Sequence, residues 1–381
     1  MSFSNRFSGK RCAVVDFFHA HDHLMPSIIE YLNILGFEVE VLTTSPNFEE
    51  LMNLVSGVEA RVSILPKNKF RKRTLSKFIE ERFGGYRLLD QLKDFDLVFL
   101  NTFRADLRAT YKAIDAAQNI VGVMHTPILI DSQNVGHMRD TIDAFLGEGG
   151  KFFVLGENVA DKYGLPYIDP LTYVSPDRRS ENGNRKCQDE PMVFCVPGTV
   201  KFRGRNYMAL ADAVSKLSRN GIKGKLLIKI LGRQSRRDGM KLRSAIRSLD
   251  LEEYFSFVQN SSHAAFYAHV TTSDYILPLL DRGEEDVSAI HYSDMATSSI
   301  YLAMGLGVPM VAERDLSRLY RIEDFCIAHE SKQLEAGLRR ALEVGPEGRH
   351  DLVRRQETAV QRRKNVSIQN LESEISQILG E

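Results

Sequence analysis

The chain has 381 residues, 43 % of them hydrophobic and 26 % charged, which excludes an extended disordered or fibrous protein and leaves room for two domains of ordinary size. Fifty basic residues balance fifty acidic ones, so no global field draws in nucleic acid and any basic patch must be local. The first apolar run, 12–18, is too short for a leader or a membrane span. No segment approaches the length of a spanning helix, and the four cysteines, Cys12, Cys187, Cys195 and Cys326, show no metal-type spacing, so the expectation is a reducing, cytoplasmic protein.

In chain order, RCAVVDF (11–17) reads as a buried strand. The histidine-rich loop FHAHDHLMP (18–26), a helix over 26–36 ending at Gly36, and the strand FEVEVLTT (37–44) complete one βαβ unit. DLVFL (96–100), NIVGVM (119–124) and KFFVL (151–155) repeat the rhythm with helix-like sequence between them, which predicts a parallel sheet covered on both faces. The stretch 164–191 is rich in Pro, Gly, Asn and charge, lacks apolar periodicity, and reads as a connection. The rhythm then restarts with MVFCV (192–196), helix 206–219, KLLIKIL (225–231), helix 239–249, YFSFV (254–258), helix 262–269, DYILPLL (274–280), helix 298–306 and VPMVA (308–312). After about residue 332 the pattern is helical to the end. The expected fold is therefore α/β, with two tandem doubly wound Rossmann-like domains and an interdomain cleft. The boundaries are 1–165 for the first domain, 166–190 for the linker, 191–348 for the second domain and 349–381 for a C-terminal helix.

Ligands of open α/β sheets collect beyond the carboxyl ends of the strands, which selects the loops to inspect. PGTVKFRGRNY (197–207) follows a strand and opens a helix, with two glycines and the cations Lys201, Arg203 and Arg205. Backbone N–H groups at such a helix start, with cations beside them, suit a phosphate; a solvated basic turn is the plain alternative. In HYSDMATSSIYLAMGLGVPMVAERD (291–315), Thr297, Ser298 and Ser299 stand where a helix should begin, either meeting a ligand or only capping the helix. His19, His21, Asp22 and His23 are residue types that bind zinc or hydrogen-bond a substrate, and Asp22 or His23 could instead stabilise the helix start near Pro26. His125, at the end of NIVGVM, is either a structural histidine or an active one. The polybasic stretch 66–78, with Lys67, Lys69, Arg71, Lys72, Arg73 and Lys77, fits an anionic membrane surface, a phosphate-bearing acceptor, or a solvated face. DRGEED (281–286) reads as an exposed acidic turn.

Taken together, 197–207 and 291–315 resemble the nucleotide-sugar-binding domain of GT-B glycosyltransferases, most like the retaining family 4 group. Gly198 matches the glycine of the family's phosphate turn, Thr199 stands at its arginine, and Arg205 stands near its lysine, with Lys201 or Arg203 replacing the missing cation. Anchoring on Gly307, Val308 and Pro309 sets Asp294 at the first of the family's two glutamates and Leu302 at the second. That second glutamate grips the donor ribose in the family, so ribose recognition in this chain must come from elsewhere. The strand ending at His125 resembles the family's strand that ends in a histidine facing the reaction centre.

The resemblance implies GT-B architecture, with the final helix crossing back to the first domain. It implies metal-independent, retaining transfer of a sugar from a nucleotide-diphosphate donor to a saccharide or lipid-linked hydroxyl acceptor, in polysaccharide or glycolipid assembly. No cofactor is expected beyond the nucleotide sugar, with no bound metal and no nucleic acid. On this reading Gly198, Thr199, Lys201, Arg203, Arg205, Thr297, Ser298 and Ser299 hold the diphosphate, and Asp294 approaches the donor sugar. His125 contacts donor or acceptor, His19, His21, Asp22 and His23 lie on the acceptor or donor-sugar side, and 67–77 offers peripheral contact with the inner face of a membrane. The rival readings are a nucleotide-sugar epimerase or hydrolase of the same fold, a non-catalytic subunit of that fold, and a metallohydrolase built on HAHDH. The last has one residue fewer between its second histidine and its aspartate than the metallo-β-lactamase pattern HxHxDH.

Overall fold

The first apolar run becomes β1 (Arg11–Asp16), buried at every position after Arg11. The computed structural model describes residues 5–17, 22–46, 48–53, 55, 57–64, 90–103, 108–125, 137–171, 190–202, 205–232, 237–259, 262–280 and 296–381. The chain divides into two units, Met1–Pro170 with Asp294–Ala296 and Arg363–Glu381, and Leu171–Ser293 with Thr297–Arg362.

In the first unit β1 leads to α1 (Met25–Ile34), β2 (Glu38–Thr43), α2 (Phe48–Met52), β3 (Arg61–Ile64) and β4 (Leu97–Leu100). Then follow α3 (Arg108–Ala116), β5 (Ile120–Met124), α4 (His137–Gly147), β6 (Lys151–Leu155), α5 (Glu157–Tyr163) and β7 (Tyr167–Ile168). The seven strands are all parallel, in the order β3-β2-β1-β4-β5-β6-β7. Helices cover both faces of such a sheet, which is why β1, β4 and β5 are continuous apolar runs with no polar alternation. One core cluster joins Val15, Leu100 and Met124 to the rings of Phe103, Phe145 and Phe152, the last two stacked at 4.3 Å.

The second unit repeats the plan with β8 (Met192–Val196), α6 (Tyr207–Arg219), β9 (Leu226–Leu231), α7 (Arg237–Ser248), β10 (Phe255–Val258) and α8 (His263–Thr271). It continues with β11 (Tyr275–Ile276), α9 (Ser298–Leu306), β12 (Met310–Glu313), α10 (Arg314–Leu319), β13 (Cys326–His329) and the start of α11 (Leu334–Leu379), whose residues from Arg363 on belong to the first unit. Its six strands are parallel in the order β10-β9-β8-β11-β12-β13. Cys12, Cys195 and Cys326 are buried free thiols in β1, β8 and β13, and burial pushes the last two up to about 12, so they act as small apolar side chains.

Several boundaries differ from the sequence expectation, each for a local reason. Tyr167 and Ile168 fall inside the expected connection, yet they pair with Val154 and Leu155 and close the edge of the first sheet. The side chain of Asn370 donates to the Tyr167 carbonyl at 2.9 Å, so this edge is fixed by α11, 203 residues away, and not by its own apolar pattern. The run expected as a strand over 274–280 pairs only at Tyr275 and Ile276, because Pro278 has no N–H and Leu279 turns to a φ of 54°. Helix α1 has Leu24 at its N-cap and Pro26 in its first turn, so neither Asp22 nor His23 is the capping residue. Gly307 ends α9 at a φ of 66°, its N–H on the Met304 carbonyl, which is the geometry that calls for glycine. Helix α11 is interrupted at Gly345 and Pro346. Among the described residues no helix is long and apolar enough to cross a membrane.

Candidate functional site

Two glycine turns meet at the carboxyl edge of the second sheet, beside its switch point between β8 and β11. Gly198 follows β8 with a φ of 94°, and Gly232 follows β9 with a φ of 114°. A Cβ on Gly232 would lie 2.6 Å from the Gly198 carbonyl oxygen and 3.2 Å from the Thr199 nitrogen, so the two turns pack backbone against backbone. Only glycine permits both the conformation and the approach. Gly232→Ala is therefore expected to push the Gly198 turn outward, lowering stability by at least about 1–2 kcal/mol, the scale of a left-handed non-glycine residue. Urea denaturation checks the stability loss, and calorimetric titration with UDP checks for a parallel loss of nucleotide binding.

Arg205 closes this turn. Its Nη1 donates to the Pro197 carbonyl and its Nη2 to the Ser299 hydroxyl at 3.0 Å. The guanidinium also lies against Gly198, where a Cβ would stand 3.4 Å from Nη2. One cation thus ties the loop after β8 to the first turn of α9. Thr297 holds the N-cap position of α9 in extended conformation but makes no side-chain cap, and its own N–H donates to the Tyr320 hydroxyl at 3.1 Å. The hydroxyl of Ser299 is buried and engaged by Arg205, whereas Ser298 is exposed. Helix capping alone does not describe this trio. Thr199 is half-buried and Lys201 exposed on the same turn. The arrangement puts a guanidinium, a glycine backbone and the positive end of a nine-residue helix in one place, which is the chemistry of an anion cradle. The Leu302 side chain is buried within α9.

The first unit gathers buried polar side chains of its own at the switch point between β1 and β4. Asp16 ends β1, Asn101 and Thr102 follow β4, and Thr43, Thr44 and Ser45 close β2; all six are buried. His125, just past β5, joins them: its Nε2 donates to the Asn101 carbonyl at 3.0 Å and lies 3.3 Å from the Thr102 hydroxyl. A carbonyl only accepts, so Nε2 carries the proton and Nδ1 is the basic nitrogen of the neutral ring. Burial pushes the imidazole down to about 4, the Asn101 hydrogen bond opposes that shift, and the charge of His23 adds to it. Of the three histidines in the histidine-rich loop, His23 is the one described in the structure, and it lies close enough to His125 for their charges to interact.

The sign of the resulting pH dependence is fixed. The unfolded chain, with an ordinary histidine near 6.5, binds this proton more readily than the folded one, so the contribution to stability is lost as pH falls from about 6.5 toward 4. His125→Asn is expected to make the urea midpoint less sensitive to acid between pH 7.5 and pH 5 than in the parent protein. Equal acid sensitivity in the two proteins would contradict the assignment.

His19, His21, Arg203, Asp294, Cys187 and the stretches 67–77 and 281–286 lie outside the described residues, as does the side chain of Asp22, whose backbone starts a single 3-10 turn ending at Leu24. Among the described residues no group of three or more His, Cys, Asp and Glu side chains is placed to hold a metal. The strand-end rule selects the loops that begin at Asn101 and Gly232, but sequence reasoning singled out neither these two residues nor Thr102 and Asp16. Asp16 carried a signal, an acid closing an otherwise apolar strand, while the role of Gly232 depends on a contact that no local pattern encodes.

The sheet orders define a tandem α/β protein, with a glycine turn, a guanidinium and a helix start gathered at one edge of its second sheet. No protein-family model and no curated protein sequence matches the chain. Solved structures do. A glycosyltransferase from Rickettsia africae superposes with a TM-score of 0.63 and 12 % identity, over 97 % of this chain and 98 % of that one. Anabaena HepE in complex with UDP and glucose gives a TM-score of 0.64 at 12 % identity, covering 96 % and 99 %. Sucrose-phosphate synthase from Thermosynechococcus elongatus gives 0.59 at 13 % identity, covering 97 % and 99 %. The chain has the tandem Rossmann-like fold of the GT-B glycosyltransferases.

Proposed function

We propose that the protein transfers a glycosyl group from a nucleoside diphosphate sugar to a hydroxyl acceptor. The observation that carries this reading is the Arg205 bridge, which ties a guanidinium to the start of α9 across the Gly198 turn. In such a transfer the bond from the anomeric carbon to the diphosphate oxygen breaks and its electron pair stays on the diphosphate. The acceptor oxygen bonds to that carbon and gives up its proton. The developing charge needs fixed donors, and Arg205 with the N–H groups of the Gly198 turn and the first turn of α9 supplies them in the place a metal ion would otherwise take. Lys201 and Arg203 add positive charge on the same turn. The polar cluster around Asp16, Asn101 and His125 lies at the carboxyl edge of the first sheet, where a sugar hydroxyl would meet hydrogen-bonding groups, with His125 neutral at physiological pH.

A uridine donor is the first to test, because HepE was solved with UDP-glucose and an Escherichia coli trehalose-6-phosphate protein with UDP-2-fluoro glucose. The retaining outcome, a family 4 type of donor site with Asp294 near the sugar, a saccharide or lipid-linked acceptor, a role in surface polysaccharide or glycolipid assembly, and a cytoplasmic place at the inner face of a membrane belong to the same proposal and rest on the sequence resemblance.

A thermal-shift screen against UDP, GDP, ADP and their sugars tests the reading, since a ligand at 100 times its Kd adds about 2.7 kcal/mol to the stability of the native state. One or more of these should raise Tm, and the matching sugar nucleotide should support transfer. If no nucleotide raises Tm, the donor site is refuted. Binding with neither transfer nor hydrolysis would identify a non-catalytic protein of this fold, and epimerised or hydrolysed donor without transfer would move the chemistry to those classes.

A further inference from the structure

The turn that carries Arg205 is gripped by the connection between β9 and α7 at both ends of that connection. At its start Gly232 backs onto the Gly198 carbonyl. At its end Asp238, in the first turn of α7, reaches back 36 positions, and its Oδ2 accepts from the Phe202 N–H at 3.1 Å. Phe202 is in turn one bond from the cation, because its carbonyl accepts from the Arg205 N–H at 3.4 Å. The Phe202 ring packs on Tyr207 with centroids 5.8 Å apart and lies under the Lys241 ammonium at 5.6 Å, one turn after Asp238 on the same helix. The far end of the turn is tied separately, by the Asn206 N–H on the Leu279 carbonyl at 3.0 Å.

An acid in the first turn of a helix is favoured by the positive end of that helix alone. Asp238 does more, since its oxygen holds a backbone N–H of another segment, in the run that leads to Arg205. The Tyr207 phenol feels both charged groups: burial raises it, the Arg205 guanidinium lowers it and the Asp238 charge raises it, so carboxylate and guanidinium act on one buried hydroxyl. An acid this near repels an anion in the cradle, so whatever Asp238 contributes there comes through geometry. The geometry is demanding. The Arg205 guanidinium must meet the Pro197 carbonyl and the Ser299 hydroxyl together, on segments 8 positions before it and 94 after it. A long side chain fixed in advance binds more tightly than one ordered by the ligand.

We propose that Asp238 is a positioning residue of the cradle, holding the turn at Phe202 so that Arg205 spans these two acceptors, without itself touching the ligand. The identity of the ligand rests on the donor reading above; the hold of Asp238 on Arg205 does not.

The experiment compares the parent full chain with Asp238→Ala, Asp238→Asn, Arg205→Ala and the double variant Asp238→Ala with Arg205→Ala, using circular dichroism to verify folding. In calorimetric titrations with UDP and with pyrophosphate, Asp238→Ala should weaken binding about tenfold, the scale of a lost hydrogen bond to a charged group. Asp238→Asn keeps the acceptor and should recover most of that affinity. In the Arg205→Ala background the same Asp238→Ala change should alter affinity by less than about twofold, because a residue acting through Arg205 has nothing left to position. Equal losses in the two backgrounds, or no loss in either, overturns the proposal. NMR of the Arg205 guanidinium, assigned with Arg205→Lys, reads the hold with no nucleotide present. Rotation about its C–N bonds should be slow in the parent protein and in Asp238→Asn and faster in Asp238→Ala, and an unchanged signal in Asp238→Ala overturns the proposal as well. Asp238→Glu, which keeps the charge and displaces the acceptor, takes the place of Asp238→Ala should that variant not fold. If neither UDP nor pyrophosphate binds the parent protein, the donor reading falls, and the guanidinium signal alone decides whether Asp238 positions Arg205.

Discussion

Arg205→Ala is expected to lower kcat/KM for glycosyl transfer by about 10²–10³, with the fold retained, because it removes preformed donors from the place where leaving-group charge develops. Retention of the fold follows from the contacts. Arg205 is half-buried at a loop and helix start, and the groups it meets, the Pro197 carbonyl and the Ser299 and Tyr207 hydroxyls, are uncharged, so its removal strands no charge among them. On the proposed donor reading the guanidinium faces the diphosphate in both ground and transition states, so the loss should reach kcat and nucleotide affinity together. Arg205→Lys makes a sharper comparison. It keeps the charge but cannot donate to the Pro197 carbonyl and the Ser299 hydroxyl at once, so it should recover part of the affinity and little of the rate. Steady-state kinetics on both variants, with circular dichroism at matched concentration, reads the outcome. Turnover at the parental rate in Arg205→Ala, across a range of donors, would remove this residue from the phosphate site.

The parts of this molecule visible in its sequence are those governed by local physics. A strand covered on both faces is apolar through its interior, with polar residues at its ends, so β1, β4, β5, β8 and β12 stand out as short runs. A turn that brings backbone to an anion needs glycine, so Gly198 and the cations after it were conspicuous, and so was the hydroxyl-rich start of α9. What stayed hidden depends on partners distant in sequence. The strand β7 has two residues and exists because of β6 and Asn370. Gly232 looks like any loop glycine until the Gly198 carbonyl is placed 2.6 Å from its absent Cβ. The Ser299 hydroxyl resembles a helix cap in sequence, and only the arginine 94 positions earlier gives it another role. The Gly307-Val308-Pro309 match to the GT-B pattern is met as well by the need to end α9 at a left-handed glycine, so it locates the helix more firmly than it identifies the ligand.

Arg363→Ala should destabilise the first unit by about 3–5 kcal/mol, the usual result of removing one partner from a buried ion pair. The Arg363 Nη1 and the Asp169 Oδ2 are 3.5 Å apart, with the two side chains 7 % and 0 % exposed. Asp169 is also a structural junction: its N–H donates to the Ser367 hydroxyl at 2.9 Å and its carbonyl accepts from the Tyr31 hydroxyl at 2.8 Å. It therefore holds α1, the end of β7 and the last part of α11 together, and without Arg363 its carboxylate must stay buried without that charge partner or break these contacts. The neighbouring pair of Lys364 with Glu30 does not substitute, since burial already raises the Glu30 carboxyl against the pull of Lys364. Two controls isolate the cause. Arg139 and Asp143 form an ion pair at 3.0 Å on the surface, 53 % and 55 % exposed, so Arg139→Ala should cost no more than about 0.5 kcal/mol. Asp169→Asn combined with Arg363→Met removes both charges and should recover more than half of the loss, because the penalty of the single change is mostly that of the stranded carboxylate. Urea denaturation of the three variants and the parent protein, followed by circular dichroism and by proteolysis within 363–381, reads all these quantities. A loss below about 1 kcal/mol for Arg363→Ala would show that this pair contributes no more than a surface one.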